Sequence, residues 1–298
     1  MNVDVLLSFY KGEQYIDEQV QSVLGQNGIQ ISKLLIRNDG ENSQKLNDFE
    51  SEKIELIQGE NLGVKLSFLE LIKQSNNDSD YFAFCDQDDV WENDKIKTAI
   101  DMLEPYKSIP AMYFSKAMLV DSELVPIGLD TFETGVFSFE RTLIKNNAIG
   151  CTIVFNKKLR DILKDRVNNY TSISDSFLHD HLLYALCNGI GGKIIYDETP
   201  HIYYRQHQNN VIGNRKGLIK KIRANGIFNS DRVRSCWAKE LYVNFFEVLT
   251  PENEILLDNI LNYRSDWKIR LKLMNNKNFS KSAIEKVNIM LLFLFGKF

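Results

Sequence analysis

Short apolar runs alternate with longer amphipathic stretches through the first third of the chain. The runs Val3 to Phe9, Lys33 to Asn38, Ile54 to Gln58 and Tyr81 to Cys85 predict strands, and the stretches around Glu13 to Gln26, Asn42 to Glu50 and Val64 to Gln74 predict helices between them. That alternation is the pattern of strands returning in parallel through helical crossovers. Ligands of such sheets gather beyond the carboxyl ends of the strands. The rule selects the polar residues at those ends: Ser8 and Tyr10, Asp39, Asn61 and Gly63, then Asp86 and Asp88. They are expected to meet in one crevice.

Beyond Trp91 the pattern predicts a helix to about Glu104 and a strand at Met112 to Val120, after which strand and helix mix less regularly and a second lobe is expected without a linker. From Arg215 on the period is helical and the charge basic, with Arg215, Lys216, Lys220, Lys221, Arg223, Arg232, Arg234 and Lys239 opposed by few acids. A helical C-terminal appendix is expected there.

The 298 residues are 44% hydrophobic, enough for a core, and 36 basic against 40 acidic residues give a net charge of −4. That balance argues against a protein that coats nucleic acid. Cys85, Cys151, Cys187 and Cys236 are widely spaced, with no C-x-x-C pair, so neither a disulfide framework nor a structural zinc site is expected and a reducing cytoplasm is the simpler setting. The N-terminus runs into a strand without the features of a secretory signal. The terminal apolar run Ile289 to Phe295 falls far short of the about 20 residues that span a bilayer.

The chemistry concentrates after the fourth strand. Asp86-Gln87-Asp88-Asp89 follows Tyr81-Phe82-Ala83-Phe84-Cys85, so three carboxylates emerge together from a buried strand end and their repulsion calls for a countercharge. Mg²⁺ or Mn²⁺, which bind a few carboxylates and keep other ligands, is one answer; an acidic loop capping the next helix through Asp89 or Asn93 is the other. Asp39 ends the second strand, where its carboxylate is placed to accept the imide N–H of a uracil or thymine, or simply to make an Asp-Gly turn. Tyr10 suits stacking on a base, or packing at the rim of the core.

Taken in order, Leu6-Leu7-Ser8-Phe9-Tyr10-Lys11-Gly12-Glu13, Arg37-Asn38-Asp39-Gly40, Glu60-Asn61-Leu62-Gly63-Val64 and Cys85-Asp86-Gln87-Asp88-Asp89-Val90-Trp91 resemble the signature of family-two glycosyltransferases. Gly150-Cys151-Thr152, His179-Asp180 and Tyr204-Arg205-Gln206-His207-Gln208-Asn209-Asn210-Val211 resemble its rhamnosyltransferase-like branch, so the likeness covers about the first 215 residues. Phe9 and Lys11 stand where the family more often has Thr and Asn, and Asn38 replaces the first Asp of an Asp-Asp-Gly pair.

The resemblance implies a GT-A fold, a Rossmann-like mixed sheet flanked by helices, over residues 1–214, with a donor half to about 120 and an acceptor half from 121. A basic helical region, 215–298, would follow. It implies an inverting, Mn²⁺- or Mg²⁺-dependent transfer from a pyrimidine nucleotide sugar, dTDP-rhamnose or a UDP-hexose, to a bacterial surface glycan precursor on a polyprenyl diphosphate. Ser8, Tyr10, Asp39, Asn61, Gly63, Asp86 and Gln87 would line the donor site, and Asp88 would ligate the metal with His207 as a further ligand. Arg205 would neutralise phosphate charge. Asp180 would be the general base that inversion requires, with His179 and His181 orienting it or the acceptor. The basic C-terminal region reads either as a solvated helical face or as a peripheral contact with the inner face of the cell membrane; the tail Met290 to Phe295 also suits a place in the core or a homodimer interface. Two rivals of other classes are a haloacid-dehalogenase-like phosphohydrolase, built on Asp86-Gln87-Asp88, and a non-catalytic nucleotide-sugar-binding partner protein.

Overall fold

The computed structural model describes residues 1–41, 43–131, 137–206 and 233–298. The first strands, β1 (Val3–Phe9), β2 (Lys33–Asp39), β3 (Ile54–Gly59) and β4 (Tyr81–Cys85), alternate with α1 (Ile16–Leu24), the short α2 (Gln44–Asn47) and α3 (Val64–Gln74). The middle of the chain contributes β5 (Val90–Trp91), α4 (Lys95–Leu103), β6 (Ala111–Ser115), β7 (Met118–Val120), β8 (Pro126–Leu129), α5 (Phe139–Thr142) and β9 (Val154–Asn156). Then come α6 (Lys157–Val167), α7 (His179–Gly189), β10 (Lys193–Asp197) and β11 (Ile202–Arg205). Four further helices are described: α8 (Val233–Phe245), α9 (Pro251–Asn262), α10 (Trp267–Met274) and α11 (Ala283–Leu294).

A seven-stranded sheet has the order β10-β6-β9-β4-β1-β2-β3. Its strands run parallel except β9, which is antiparallel to both β4 and β6. The side-chain alternation of the strands divides the interior in two. Leu6, Leu35, Phe82, Phe84, Met112, Phe114 and Phe155 point to one core, shared with α3, α6 and α7. Val5, Leu7, Leu34, Ile36, Ala83, Tyr113 and Val154 point to the other, shared with α1 and α4. Both faces being covered explains why these strands read as continuous apolar runs. Asp4, a carboxylate buried within β1, is satisfied by the Asn76 N–H at 2.9 Å and the Ser79 hydroxyl at 2.7 Å.

The predicted strand from Met112 to Val120 is two strands in two sheets. At Ala117, whose N–H donates to Asp130 Oδ2 at 2.6 Å, the chain leaves the large sheet and enters a four-stranded one of order β5-β11-β7-β8. In it β11 lies antiparallel to β5 and parallel to β7. Strands from beyond residue 120 also complete the large sheet, so its hydrogen bonding continues across the expected boundary between donor and acceptor halves.

The described C-terminal residues are helical, as their period predicts, and they are part of the body of the protein. Leu241, Leu257, Ile260, Tyr263, Phe279 and Phe293 bury their side chains in the same core as Phe68 and Phe84. A buried ion pair fastens α8 to the start of α3: Lys65 Nζ lies 2.7 Å from Glu240 Oε1, and Glu240 Oε2 accepts the N–H groups of Ile173 and Ser174 at 2.9 and 2.7 Å. No helix among the described residues is long and apolar enough to cross a membrane.

Candidate active site

The strand order reverses its sense of winding between β1 and β4, with β2 and β3 on one side and β4 on the other, and the crevice at such a point opens above the carboxyl ends of the strands. The polar residues selected from the sequence surround it. Gln87 ties the two strand ends together: its Oε1 accepts the Tyr10 N–H at 2.7 Å and its Nε2 donates to the Tyr10 carbonyl at 3.0 Å. A Cβ on Gly12 would collide with the Gln87 amide, so only glycine admits this approach. The Tyr10 ring lies across Gly40, where a Cβ would sit 3.1 Å from it, and the residue is 45% exposed. One face is therefore packed and the side chain still reaches solvent, the geometry a base-stacking ring needs.

Asp39 is buried and heavily engaged. Its Oδ1 accepts from Arg37 and from the Leu62 N–H at 2.9 Å, and its Oδ2 accepts from the Gly63 N–H at 2.9 Å. Asp39 thus shapes the loop 60–63, with Asn61 Oδ1 also accepting the Gly63 N–H at 3.1 Å. Gly63 has φ 76° and ψ 162°, a conformation reserved in practice for glycine, and it caps α3. A carboxylate offers about four acceptor positions; three are used here among the described residues. Arg37 also donates to Ser67 Oγ at 3.1 Å and to the Glu60 carbonyl at 2.9 Å, while Ser8 shares a 2.7 Å hydroxyl contact with Ser67.

The three acids after β4 occupy two different environments. Asp86 and Asp88 are half-buried at the crevice, whereas Asp89 is fully buried and turned inward, where its Oδ1 accepts the Arg205 N–H at 3.0 Å. Ligand-type atoms of Asp86, Asp89 and Cys151 lie within 4.8 Å of one another. Burial first, then the charges of Asp88 and Asp180, push the Asp86 carboxyl up to about 7. Asp89 is driven well above the usual carboxylate range by burial and by its two acidic neighbours. The Cys151 thiol is raised by burial and by the same carboxylates. Below them Lys95 is sealed from solvent with Nζ 3.7 Å from the Trp91 ring centroid, and burial pulls it down to about 8 against the opposing pull of Cys85, Cys151 and Asp89. The cluster of Asp86, Asp89 and Cys151 fits a divalent cation, whose charge would relieve the repulsion; Asp88, expected as the direct ligand, has no atom in that group among the described residues.

Arg205 is buried, and its guanidinium is directed at protein oxygens. Nε donates to the Asp88 carbonyl at 2.8 Å, Nη1 to the Ser122 carbonyl and Nη2 to Glu18 Oε2 at 2.5 Å, while the group lies 4.4 Å from the Tyr15 ring centroid. His207, expected as a metal ligand, lies outside the described residues, as does most of the basic stretch from Arg215.

Asp180 stands in the first turn of α7. Its Oδ1 accepts the His181 N–H at 2.7 Å and its Oδ2 accepts from Asn146 Nδ2 at 2.9 Å; burial raises the carboxyl to about 6 in spite of these bonds. The 3₁₀ turn Gly150–Thr152 joins it to the acidic cluster. A Cβ on Gly150 would lie 3.4 Å from Asp180 Cβ, and Cys151 next to it faces Asp86 and Asp89. Neither imidazole ring hydrogen-bonds Asp180 among the described residues; His181 reaches it only through its backbone N–H. The His179 ring stacks on Phe68 with centroids 3.7 Å apart and meets Phe84 edge-on, and its nitrogens have no hydrogen-bond partner among the described residues. His181 Nε2 pairs with the Thr142 carbonyl at 2.6 Å, and its ring packs on Trp237. Burial depresses them to about 3 and about 4, so both are neutral core rings. Asn146 and Lys95 were not visible as site residues in the sequence, since neither belongs to a motif.

Comparison with known proteins agrees with this geometry. The dTDP-rhamnosyl transferase RfbG of Shigella flexneri is 29% identical over 290 residues, 89% of this chain and 94% of its own length. In structure the chain resembles TarS 1-349 of S. aureus in complex with UDP, with a TM-score of 0.54 and 16% identity over 96% of this chain and 77% of that one. TarS 1-349 in complex with UDP-GlcNAc gives a TM-score of 0.54 and 14% identity over 100% of this chain and 93% of that one. At these identities the TarS structures establish the fold, a GT-A-like mixed sheet with helices. The family model of glycosyl transferase family 2 matches residues 4–163, more than half of the chain. With that match the phosphohydrolase reading falls away: the chain belongs to glycosyl transferase family 2 and is a glycosyltransferase.

Proposed function

We propose that the enzyme transfers L-rhamnose from dTDP-rhamnose, with inversion and with a divalent metal, to a bacterial surface-polysaccharide precursor on a polyprenyl diphosphate carrier. The donor assignment follows from the likeness to the Shigella flexneri dTDP-rhamnosyl transferase. The observation that carries the catalytic reading is the approach of Asp180 to the acidic motif across Gly150–Thr152: a Cβ on Gly150 would lie 3.4 Å from Asp180 Cβ, and the adjoining Cys151 lies with Asp86 and Asp89. In this reading Asp180 is the base, and Asp86 faces the ribose or sugar side of the donor.

In this reading Tyr10 stacks on the thymine, Asp39 accepts its imide N–H at the remaining position, and Ser8, Asn61, Gly63 and Gln87 shape the pocket around the nucleoside. Asp180 accepts the proton of the acceptor hydroxyl as that oxygen bonds to the anomeric carbon, and the bond from that carbon to the diphosphate oxygen breaks on the opposite face. Asp88, with Asp86 beside it and His207 as a further ligand, would hold Mn²⁺ or Mg²⁺, which would supply charge neutralisation to the departing diphosphate. Arg205 acts through the loop it holds, as a positioning residue for Asp88 and Asp89.

The test is transfer from dTDP-rhamnose to lipid-linked precursors, followed by release of dTDP and by the anomeric configuration of the product, with Mn²⁺ and with EDTA. Metal-dependent formation of the inverted product is expected. Turnover of a UDP-hexose in its place would overturn the donor assignment, and binding of donor with no turnover would favour a non-catalytic partner protein.

A further inference from the structure

The last two helices expose apolar side chains that the rest of the described protein does not cover. On α11 Ile284, Val287 and Leu294 follow one stripe, continued by Phe295 just past its end, and Ile284 is 77% and Phe295 63% exposed. On α10, which packs beside α11, Trp267 and Leu271 are one helical turn apart, and Trp267 is 66% exposed. The opposite face of α11 is spent on the core through Ile289, Leu292 and Phe293. These helices are therefore fixed in place with their outer apolar ridges presented, a stripe that soluble helices ordinarily turn inward.

Charge says what this surface fits. From Arg264 to the end the chain carries eight Lys and Arg against two acids, in a protein whose net charge is −4. Both acids are tied down within the protein. Asp266 caps α10, accepting the Lys268 and Ile269 N–H groups at 2.8 and 3.3 Å. Glu285 lies 2.6 Å from the buried Arg141 and accepts the Lys281 N–H at 2.7 Å. What faces outward beside the apolar ridges is cationic, notably Lys268 and Lys272 on the exposed side of α10. Apolar ridges with an indole and flanking cations match the boundary of an anionic bilayer, where rings and aliphatic side chains enter the headgroup region and lysines meet phosphates.

We infer that α10 and α11 form a docking surface for an anionic lipid bilayer. The surface is joined to the catalytic half through α5: Arg141 pairs with Glu285 and donates to the Phe279 carbonyl at 2.9 Å, while the next residue, Thr142, holds His181 beside Asp180. Docking there would keep the acceptor side of the enzyme at the membrane. The inference rests on the proposed lipid-linked acceptor for its purpose only; its evidence is the surface itself.

Co-sedimentation of the full chain with vesicles of phosphatidylcholine alone, or mixed with phosphatidylglycerol, tests it without donor or acceptor. Binding is expected only with phosphatidylglycerol and should weaken as salt is raised. Lys268→Gln with Lys272→Gln is expected to weaken it about tenfold or more, and Trp267→Glu with Phe295→Glu to abolish it, each with an unchanged unfolding midpoint because the residues are exposed. Wild-type protein remaining in the supernatant with both vesicles, or variants binding like wild type, would overturn the inference. So would dissociation of a wild-type dimer by Trp267→Glu with Phe295→Glu without any vesicle binding, which would make the surface an interface between copies of this chain. Nucleotide titration reads the donor site separately, so loss of either result leaves the other standing.

Discussion

The backbone N–H of Arg205 donates to Asp89 Oδ1 at 3.0 Å, and its Nε donates to the carbonyl of Asp88 at 2.8 Å. A residue near the end of β11 therefore fixes the direction of two successive acids after β4, one turned to the crevice and one inward. Strand pairing makes this inevitable, since Tyr203 lies opposite Val90 and Ile202 opposite Trp91. Arg205→Ala keeps the N–H bond to Asp89 but takes the side-chain donor from the half-buried Asp88 carbonyl, and is expected to cost about 1–3 kcal/mol of stability, with little of it from the exposed Glu18. It should also weaken metal-dependent nucleotide binding. Arg205→Lys, a point charge without the planar fork, is expected to recover only part of either. Urea unfolding and nucleotide titration of both variants check this.

Asp180→Asn is expected to leave nucleotide affinity unchanged and to reduce transfer by about 10²- to 10⁴-fold, the usual contribution of a general base. Single-turnover transfer measured beside nucleotide titration separates the two effects. Transfer at the wild-type rate would remove Asp180 from the reaction.

The pH dependence follows from the same burial. With the Asp180 carboxyl raised to about 6 from an ordinary 3.8, activity is expected to fall as pH drops through about 6, because the protonated acid accepts no proton. Stability moves the other way. In that window the folded state binds the proton more tightly than the unfolded chain, so the contribution of Asp180 is most favourable below about 4 and is lost as pH rises through about 6. The loss amounts to roughly 3 kcal/mol. Urea unfolding of wild type and Asp180→Asn across this range should give a difference curve with that slope; a flat difference curve would contradict it.

Much of the site was legible because each residue follows a strand that the apolar pattern already marks. β1, β4 and α3 have the predicted bounds, and β2 and β3 run one residue further, to Asp39 and Gly59. The rest depends on partners distant in sequence. Nothing local distinguishes Asp89 from Asp88; only the pairing of β5 with β11 turns one of them inward. β9 is three residues long, too short for a period, and it is defined by the antiparallel partners on either side. His179 and His181 flank the proposed base in sequence, but helical geometry sends them to the core around Phe68 and Thr142.

The C-terminal helices looked like an appendix because their charge is conspicuous and their core face is not. Glu240→Ala would strip the partner from a buried Lys65 and two N–H groups and is expected to destabilise the whole protein by about 3–5 kcal/mol. A single cooperative unfolding transition shifted to lower urea is predicted. Separate melting of the C-terminal helices, with the transition of the remaining chain unmoved, would show that they fold apart.

A nucleotide-sugar site completed by metal at Asp88 should show itself in calorimetric titration of the purified protein with dTDP and with UDP, each in Mn²⁺ and in EDTA. Binding of dTDP in Mn²⁺, tighter than UDP and lost in EDTA and in Asp88→Ala, is the predicted result. Failure of both nucleotides to bind in Mn²⁺, or dTDP binding unchanged by EDTA, would contradict it.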